Sequence, residues 1–472
     1  MVLLRSLSLD EKGGPSLLPP ETFSGERADG EPCPDEGHGL EGEDVDDDNS
    51  GAFLPDHCIK LVQAQLITGE APGVALLHLL SMASVCKQWR MLASELSSGS
   101  AIAFDGFDNL FSSQPCVQKF RRLSSQQKEQ VFYGGARLLT GYANVTLSGD
   151  GITDRVLNEV AKSAGSGLTR CRVHSSSHVT DSSLSAVVQQ AKDLETLELE
   201  DLSFKAAGAG MGKFLALVFE RCEKLTTLHL SNIPSMNWGA CKAAAMVGPD
   251  KAITKLHVRG VNLDTDFGVV LSKLPHLQEL EIDGPARNIR AAATSCPSLH
   301  RVSYQVSSRT QLDEALSALM TLKELRQLEL IVKNFTLCSD QLRVIGMLSL
   351  VELRLDSYIY KQQPTLSRSS YSHVDNEGVK ALVDSICNRW CAIMSDMRPL
   401  KLSLCGATAL THDAVSALLR LPILTELDIG GCCRIIAMDK MRLVAKVRAG
   451  REMLESGRRP SMRSTRFPGL VL

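Results

Sequence analysis

The sequence of 472 residues predicts an α/β solenoid of about eleven repeats, preceded by a small all-α hairpin and flanked by disordered termini. Three observations predict this fold class. An apolar pattern recurs through the middle of the chain, helical apolar spacing fills a short segment before it, and charged residues crowd both ends. A chain of this length exceeds one ordinary core, so we expect two or more units.

The two ends are predicted to be disordered. Residues 1–50 hold fourteen acidic side chains against three basic ones and are rich in Gly and Pro, which predicts an acidic leader. Such a segment buries too little apolar surface to offset the entropy of ordering it. Residues 437–472 are predicted to form a basic C-terminal tail, since ten basic residues stand against three acidic ones from Arg434 onward.

Residues 51–97 carry the hairpin pattern. The segment opens LPDHCIKLVQAQL and closes VCKQWRMLA, and its apolar residues recur at helical spacing on both sides of the turn signal GEAPG. The Leu54-Pro55 pair suits a first helical turn. These residues resemble an F-box, the module that docks onto a Skp-type adaptor of a cullin ubiquitin ligase. The resemblance implies an adaptor-binding surface of Leu54, Pro55, Ile59, Val62, Leu66, Val85, Cys86 and Trp89.

A repeat fills residues 142–436. The pattern apolar-x-x-apolar-x-apolar occurs eleven times, as in Leu194/Leu197/Leu199, and nine of the ten intervals fall between 22 and 31 residues. That period is typical of leucine-rich repeats. Segments such as ITDRVLNEVAKSAG and THDAVSALLRLP lie between the strands and show helical spacing after a Thr or Asp start signal. Each repeat is therefore predicted to be one strand plus one helix, with residues 98–141 as linker and N-terminal cap.

Together the two patterns resemble the F-box leucine-rich-repeat family, in which the F-box holds the ligase and the solenoid holds the substrate. The resemblance implies a non-catalytic substrate-recognition subunit of an SCF-type E3 ubiquitin ligase in the cytoplasm or nucleus. Its partners would be a Skp-type adaptor, through it a cullin, and a protein substrate, with neither nucleic acid nor membrane. Two alternatives stay open: a repeat scaffold without a ligase role, and a small-molecule or hormone receptor of the same family.

The solvent-facing strand residues supply candidate substrate contacts. Side chains alternate between the two faces of a strand, so Arg172 and His257 should lie on the concave surface of the solenoid, as should Glu352 and Arg354. Each basic strand has an acidic strand as its neighbour, which favours lateral ion pairs over an anion site. Arg172 is expected to face Glu198. The basic residues Lys255, His257 and Arg259 are expected to face Glu279, Glu281 and Asp283.

An insertion at 357–374 supplies the other candidates. One repeat interval stretches to 49 residues, and the additional material contains Tyr358, Tyr360 and Tyr371. It leaves a strand end, so it should emerge at the rim of the solenoid, where recognition loops commonly sit. The alternative is a tolerated surface insertion, since long loops cost little additional closure entropy.

No motif for catalysis, a cofactor or a metal is present. The sequence lacks a Gly-rich phosphate loop, G-x-S-x-G and H-E-x-x-H, so we expect no catalytic residue and no cofactor. The fourteen cysteines form no CxxC pair and no zinc-spaced cluster, which favours reduced, packed thiols and no metal.

Overall fold

The computed structural model describes residues 101–104, 122–138, 140–202, 209–233, 238–247, 251–333, 335–357, 373–392, 398–421 and 424–456. The chain divides into two compact units, Met1–Leu96 and Ser97–Leu472, and every described residue belongs to the second. The acidic leader 1–50 and the F-box-like segment 51–97, with its eight candidate adaptor contacts, lie outside the described residues.

The second unit is an α/β solenoid built on one parallel sheet of twelve strands, which follow one another in chain order from β1 to β12. The strands are β1 (Ala101–Phe104), β2 (Asn144–Ser148), β3 (Arg170–His174), β4 (Thr196–Glu200), β5 (Thr227–Ser231), β6 (Lys255–Arg259), β7 (Glu279–Asp283), β8 (Arg301–Val306), β9 (Gln327–Val332), β10 (Glu352–Ser357), β11 (Leu400–Ser403) and β12 (Leu424–Asp428).

Within the described part of the chain, one α-helix follows each strand, as the strand–helix repeat predicted. The helices are α1 (Ser125–Leu138), α2 (Asp154–Ala164), α3 (Asp181–Gln190), α4 (Ala209–Arg221), α5 (Trp238–Val247), α6 (Thr265–Leu271), α7 (Ala286–Ser295), α8 (Arg309–Leu319), α9 (Ser339–Met347), α10 (Asn376–Ala392), α11 (His412–Leu418) and α12 (Ala437–Glu455). None of the described helices is long and apolar enough to cross a membrane.

The eleven predicted strands are β2 to β12, and the sheet has one more. Strand β1 lies in the segment 98–141, where the apolar triplet is missing, and pairs in parallel with β2 from Ala101↔Asn144 to Phe104↔Leu147. By this register Ile102 and Phe104 match Val145 and Leu147, but the position that matches Tyr142 is Gly99, so the first apolar residue of the triplet is missing from the sequence. Together β1 and α1 form one further strand–helix unit before the first predicted repeat.

The apolar triplets form the core between sheet and helices. Their residues are buried in strand after strand, for example Leu197 and Leu199 in β4 and Leu328 and Leu330 in β9. Where Tyr304 replaces the aliphatic residue, its hydroxyl donates to the carbonyl oxygen of Gly284 at 2.9 Å. A buried tyrosine needs such a partner, so the substitution fits the core.

The polar helix starts predicted from Thr and Asp also connect neighbouring repeats. The backbone N–H and the hydroxyl of Thr180 donate to the carboxylate of Asp154 at 2.8 and 2.9 Å, which ties the start of α3 to the start of α2. Near the other end, the side chain of Asn376 donates to Thr411 Oγ1 at 2.8 Å and accepts from its N–H at 3.0 Å. These residues begin helices and hold the repeats together.

The predicted tail 437–472 differs from the structure in its first half. Residues Ala437–Glu455 form α12, which packs on β12 at the end of the sheet, while 457–472 lie outside the described residues. Leu443 is buried, and at Gly450 a Cβ atom would lie 2.4 Å from the carbonyl oxygen of Leu424. The sequence did not indicate this helix, because the segment is rich in basic residues. The buried side of the helix consists of few residues, one of which is a glycine.

Candidate binding surface on the open face of the sheet

The face of the sheet opposite the buried triplets is polar along its length. In β6, for example, Leu256 and Val258 are buried while the residues beside them are partly exposed. We call this the open face. Strand register aligns one residue from each of ten strands in a row across it, here called the central row: Arg172, Glu198, His229, His257, Glu281, Ser303, Glu329, Arg354, Ser403 and Asp428.

Arg172 is bound on the acidic strand beside it. Its Nε lies 3.5 Å from Glu198 Oε2, and its Nη2 donates to Glu200 Oε2 at 3.2 Å. The expectation that Arg172 faces Glu198 is confirmed, and Glu200 is a second partner. The guanidinium is thus held by two carboxylates of β4.

The basic strand β6 also meets the acidic strand β7 as expected. Lys255 Nζ lies 2.7 Å from Glu279 Oε1, and His257 Nδ1 lies 3.4 Å from Glu281 Oε2. Burial raises the pKa of Glu279, but the hydrogen bond and charge of Lys255 outweigh it and hold the pKa below its usual value. Burial lowers the pKa of His257, and the charge of Glu281 only partly opposes this shift.

Arg259 reaches further than the sequence predicted. It was expected to face Asp283, but it pairs with Glu281 instead, and Asp283 accepts from the backbone N–H that follows Arg259. Its Nη2 also donates to Ser303 Oγ at 2.9 Å and lies 4.0 Å from Glu329 Oε2. Ser303 in turn donates to Glu329 at 2.6 Å. The long side chain therefore crosses β7 and links β6 to β8 and β9.

Because of these contacts, the positive charges in the middle of the open face are neutralised by carboxylates of the protein itself. Arg172, Lys255 and Arg259 each bind a carboxylate of a neighbouring strand. An anionic ligand would have to displace those carboxylates to reach the cations. The structure therefore gives no support to an anion site on β3 or β6.

A groove of about 860 Å³ opens at the C-terminal end of the open face, between β10–β12 and helix α12. We call it the terminal groove. It is lined by Glu352, Leu353, Arg354, Asp356, Lys401, Leu402, Ser403, Cys405, Glu426, Leu427, Asp428, Ile429, Lys440, Leu443, Val444, Val447 and Arg451.

One wall of the terminal groove is α12. Its lining residues lie within an arc of about 100° on the helix, since successive residues are about 100° apart. Leu443, Val444 and Val447 form an apolar strip, and Lys440 and Arg451 stand at its two ends. Arg451 Nε donates to the carbonyl oxygen of Thr425 at 2.7 Å, which fastens the helix to the edge strand.

The opposite wall consists of the strands and carries most of the carboxylates. Arg354 Nε lies 2.7 Å from Glu352 Oε1, and Lys401 Nζ lies 2.8 Å from Glu426 Oε1. Burial lowers the pKa of Arg354, but the bond from Glu352 raises it above its usual value. The hydrogen bond from Lys401 lowers the pKa of Glu426. Glu352, Lys401 and Glu426 form one row across the three strands, two residues nearer the strand starts than the row of Arg354, Ser403 and Asp428.

The strand wall holds two further carboxylates, Asp356 on β10 and Asp428 on β12, and Ser403 and Cys405 belong to the chain of β11 between these strands. The hydroxyl of Ser403 donates to Asp356 Oδ1 at 3.2 Å, and Asp428 Oδ1 accepts from the backbone N–H of Gly430 at 3.0 Å. Burial raises the pKa of Cys405 to about 12, and both carboxylates add to the shift. The thiol is therefore protonated in an acidic corner of the groove.

The insertion at 357–374 leaves and rejoins the solenoid at the end of β10. Ser357 is the last described residue before it and His373 the first after it, while Tyr358, Tyr360 and Tyr371 lie outside the described residues. His373 is fully buried and its Nε2 lies 2.6 Å from the carbonyl oxygen of Leu355. Burial lowers the pKa of His373 to about 4. A neutral, buried histidine thus holds the chain in place at the C-terminal end of the insertion.

The sequence-predicted contacts fall in two places. Arg172 and His257 belong to the neutralised part of the central row, whereas Glu352 and Arg354 line the terminal groove. Sequence reasoning missed the wall formed by α12. The signal available was the helical spacing of Leu443 and Val447 within a segment whose charge dominated the interpretation.

The described residues hold no group of three or more His, Cys, Asp or Glu side chains placed to bind a metal ion. They include ten cysteines, all free, of which seven are buried. The three exposed thiols are those of Cys338, Cys391 and Cys433.

No family model matches the chain, and no curated protein matches it. Among solved structures, a complex of Rad7 and Elc1 in yeast is similar, with 14% sequence identity over 81% of this chain and 90% of that chain and a TM-score of 0.41. The leucine-rich repeat-containing protein LegL7 from Legionella pneumophila is similar with 13% identity over 45% of this chain and 80% of that chain, and a TM-score of 0.27. With such TM-scores neither similarity bears on function, and the repeat fold rests on the strand order and register of the chain itself.

Proposed function

We propose that this chain is the substrate-recognition component of a cullin-based, SCF-type E3 ubiquitin-protein ligase. The observation that carries the proposal is the order of the two patterns: the F-box-like sequence from Leu54 to Ala93 precedes a leucine-rich-repeat solenoid. In this arrangement the first unit docks onto a Skp-type adaptor and thereby a cullin. The solenoid presents a polar face with a groove at one end, which suits recognition of a protein target.

The proposed mechanism requires no bond chemistry from this chain. Holding a target beside a ubiquitin-charged enzyme raises the effective concentration of its lysines, which is catalysis by proximity. The neutralised middle of the open face supports this division, because a surface that satisfies its own charges offers a stable frame rather than a reactive site. The proposal also assigns the chain to the cytoplasm or nucleus, where the ligase operates.

Co-purification with a Skp-type adaptor tests the proposal. We expect the wild-type chain to retain the adaptor and the double variant Leu54→Ala/Pro55→Ala to lose it, since both side chains belong to the F-box-like surface. Met320→Ala serves as the matched control, because Met320 is an exposed apolar residue of the solenoid. Failure of the wild type to retain the adaptor, or retention by the double variant, would contradict the ligase role.

A small-molecule receptor is the second candidate, and the terminal groove is the observation that favours it. Its volume of about 860 Å³ lies within the range of ligand pockets, about 300–1,000 Å³. Ligand pockets are mainly apolar, however, and the strand wall of this groove is charged. A thermal-shift screen separates the two functions: a small molecule that raises the melting temperature of wild type and not of Val444→Ser would favour the receptor.

A further inference from the structure

We propose that His229 of β5 and His257 of β6 together bind a divalent transition-metal ion on the open face, and that Zn²⁺ fits the pair best. The two residues are direct partners in the register of these parallel strands. Imidazole nitrogen is a preferred ligand of Zn²⁺. This inference goes beyond the proposed function and does not depend on it, because metal binding requires neither an adaptor nor a target protein.

The spacing of the two imidazole rings fits one shared metal ion. Their ring centroids lie 5.4 Å apart, and the planes of the rings are inclined by 38°. A Zn–N bond of about 2.0–2.1 Å places each ring centroid about 3.2 Å from the metal, so two rings on a tetrahedral ion have centroids about 5.2 Å apart. The observed spacing is therefore close to the spacing that such a site requires.

Each ring has a nitrogen that can bind the metal. Nδ1 of His257 lies 3.4 Å from Glu281 Oε2, which leaves Nε2 as the metal-binding nitrogen. A carboxylate is one of the usual partners of the second nitrogen of a metal-bound histidine. His229 makes no hydrogen bond or ion pair with another residue that the structure describes. Both rings are partly exposed, so an ion can reach them from solvent.

The charges around the pair are compatible with a bound cation. Burial lowers the pKa of His257, which favours the neutral ring, and a metal binds neutral imidazole. The cations on the same strand are held by carboxylates of β7, since Lys255 pairs with Glu279 and Arg259 with Glu281. A metal ion at the two histidines therefore meets neutral ligands and paired charges.

The histidine pair differs from a zinc motif that can be recognised in a sequence. His229 and His257 belong to different repeats, so the register of the sheet brings them together and a short sequence spacing does not. Two protein ligands are fewer than the three or four of most zinc sites, and water fills the other positions. We therefore expect reversible binding that is weaker than at a structural zinc site.

Isothermal titration calorimetry of the full chain with Zn²⁺ tests the proposal. The variants are His229→Gln, His257→Gln and the double variant. His276→Gln is the matched control, because His276 is an exposed histidine outside the central row. We expect wild type and control to bind one Zn²⁺ that the other three variants bind at least tenfold more weakly, because a metal site that loses a ligand loses at least as much affinity as one that loses an outer partner.

The single variants distinguish one shared ion from two separate ions. If each ring bound an ion of its own, each single variant would lose one Zn²⁺ and the double variant would lose two, and the proposal would be wrong. Wild-type stoichiometry and affinity in the double variant would also overturn it. The remaining histidines and the exposed thiols are common to wild type and the double variant, so their binding cancels from this comparison.

Thermal unfolding with and without Zn²⁺ gives a second readout. An ion that binds the native state stabilises it, so we expect Zn²⁺ to raise the melting temperature of wild type and of His276→Gln but not of the double variant. Each protein is compared with its own metal-free state, so any stability lost through the substitutions does not enter. Mg²⁺ is the control ion, because it prefers oxygen ligands and should raise none of the melting temperatures. An equal rise with Zn²⁺ in wild type and the double variant would place the ion elsewhere and overturn the proposal.

Discussion

The central strands β6 to β9 and the last strands β10 to β12 are both strongly charged on the open face, yet they satisfy those charges differently. Between β6 and β9 a basic strand lies beside an acidic one, and Arg259 extends the pairing over three neighbouring strands. At the terminal groove the sheet ends and the next element is α12, which turns an aliphatic strip toward the carboxylates. In both regions the cations bind carboxylates of the same or the neighbouring strand. The difference is that one arginine joins several strands in the centre, whereas the last strands are joined to a helix.

The packing of α12 against β12 is the feature of this comparison that a single substitution should disturb most. Gly450→Val places a Cβ atom against the carbonyl group of Leu424, with no side-chain rotation to relieve the contact. We expect it to lower the free energy of unfolding by about 3 kcal/mol, the upper end for overpacking. Equilibrium unfolding in urea measures this effect.

The neighbouring variant Ala449→Val is the control, because it places a valine at an exposed position of the same helix. Valine has a better helix propensity than glycine, so a loss in Gly450→Val cannot come from helix propensity. The variant Gly450→Val should also lose the groove while the central row persists. Equal unfolding free energies for the two variants would show that α12 is not held against β12 through Gly450.

Two arginines of the open face, Arg259 in the centre and Arg354 at the groove, test the comparison directly. In Arg259→Met, the carboxylates of Glu281 and Glu329 lose a partner in a half-buried setting, and we expect a loss of about 2 kcal/mol in the free energy of unfolding. In Arg354→Met, the lost pair is half exposed at the groove, and we expect about 0.5 kcal/mol. Urea unfolding of both variants under identical salt gives the two values.

The reverse order of the two losses would mean that the groove, and not the central strands, stabilises the solenoid. Raising the salt concentration should reduce the smaller loss more than the larger, since salt screens exposed charges most effectively.

Sequence reasoning predicted strands β2 to β12 because each is marked by the apolar triplet, and all three triplet residues are buried in β2 to β10. It also predicted that Arg172 faces Glu198, because the triplets set the register and parallel neighbours in register share a row. It failed for Arg259, whose side chain is long enough to cross a strand, a reach that register alone does not determine. It failed for α12 because the buried side of that helix includes Gly450, which contributes no apolar side chain to a sequence pattern.

The last effect that we expect concerns acid. In the folded state the pKa of His373 is about 4, against about 6.5 in an unfolded chain, so the unfolded state binds more protons between these values. Stability is therefore fully present above pH 6.5 and falls as the pH drops toward 4, by about 1 kcal/mol at pH 5.5.

The variant His373→Gln can still donate to the carbonyl of Leu355 and should lose this part of the acid sensitivity. Urea unfolding at pH 8 and pH 5.5 measures the difference, with the exposed His276→Gln as control. If His373→Gln keeps the acid response of wild type, the acid-sensitive element lies elsewhere, and the partly exposed His257 of the central row becomes the first position to substitute.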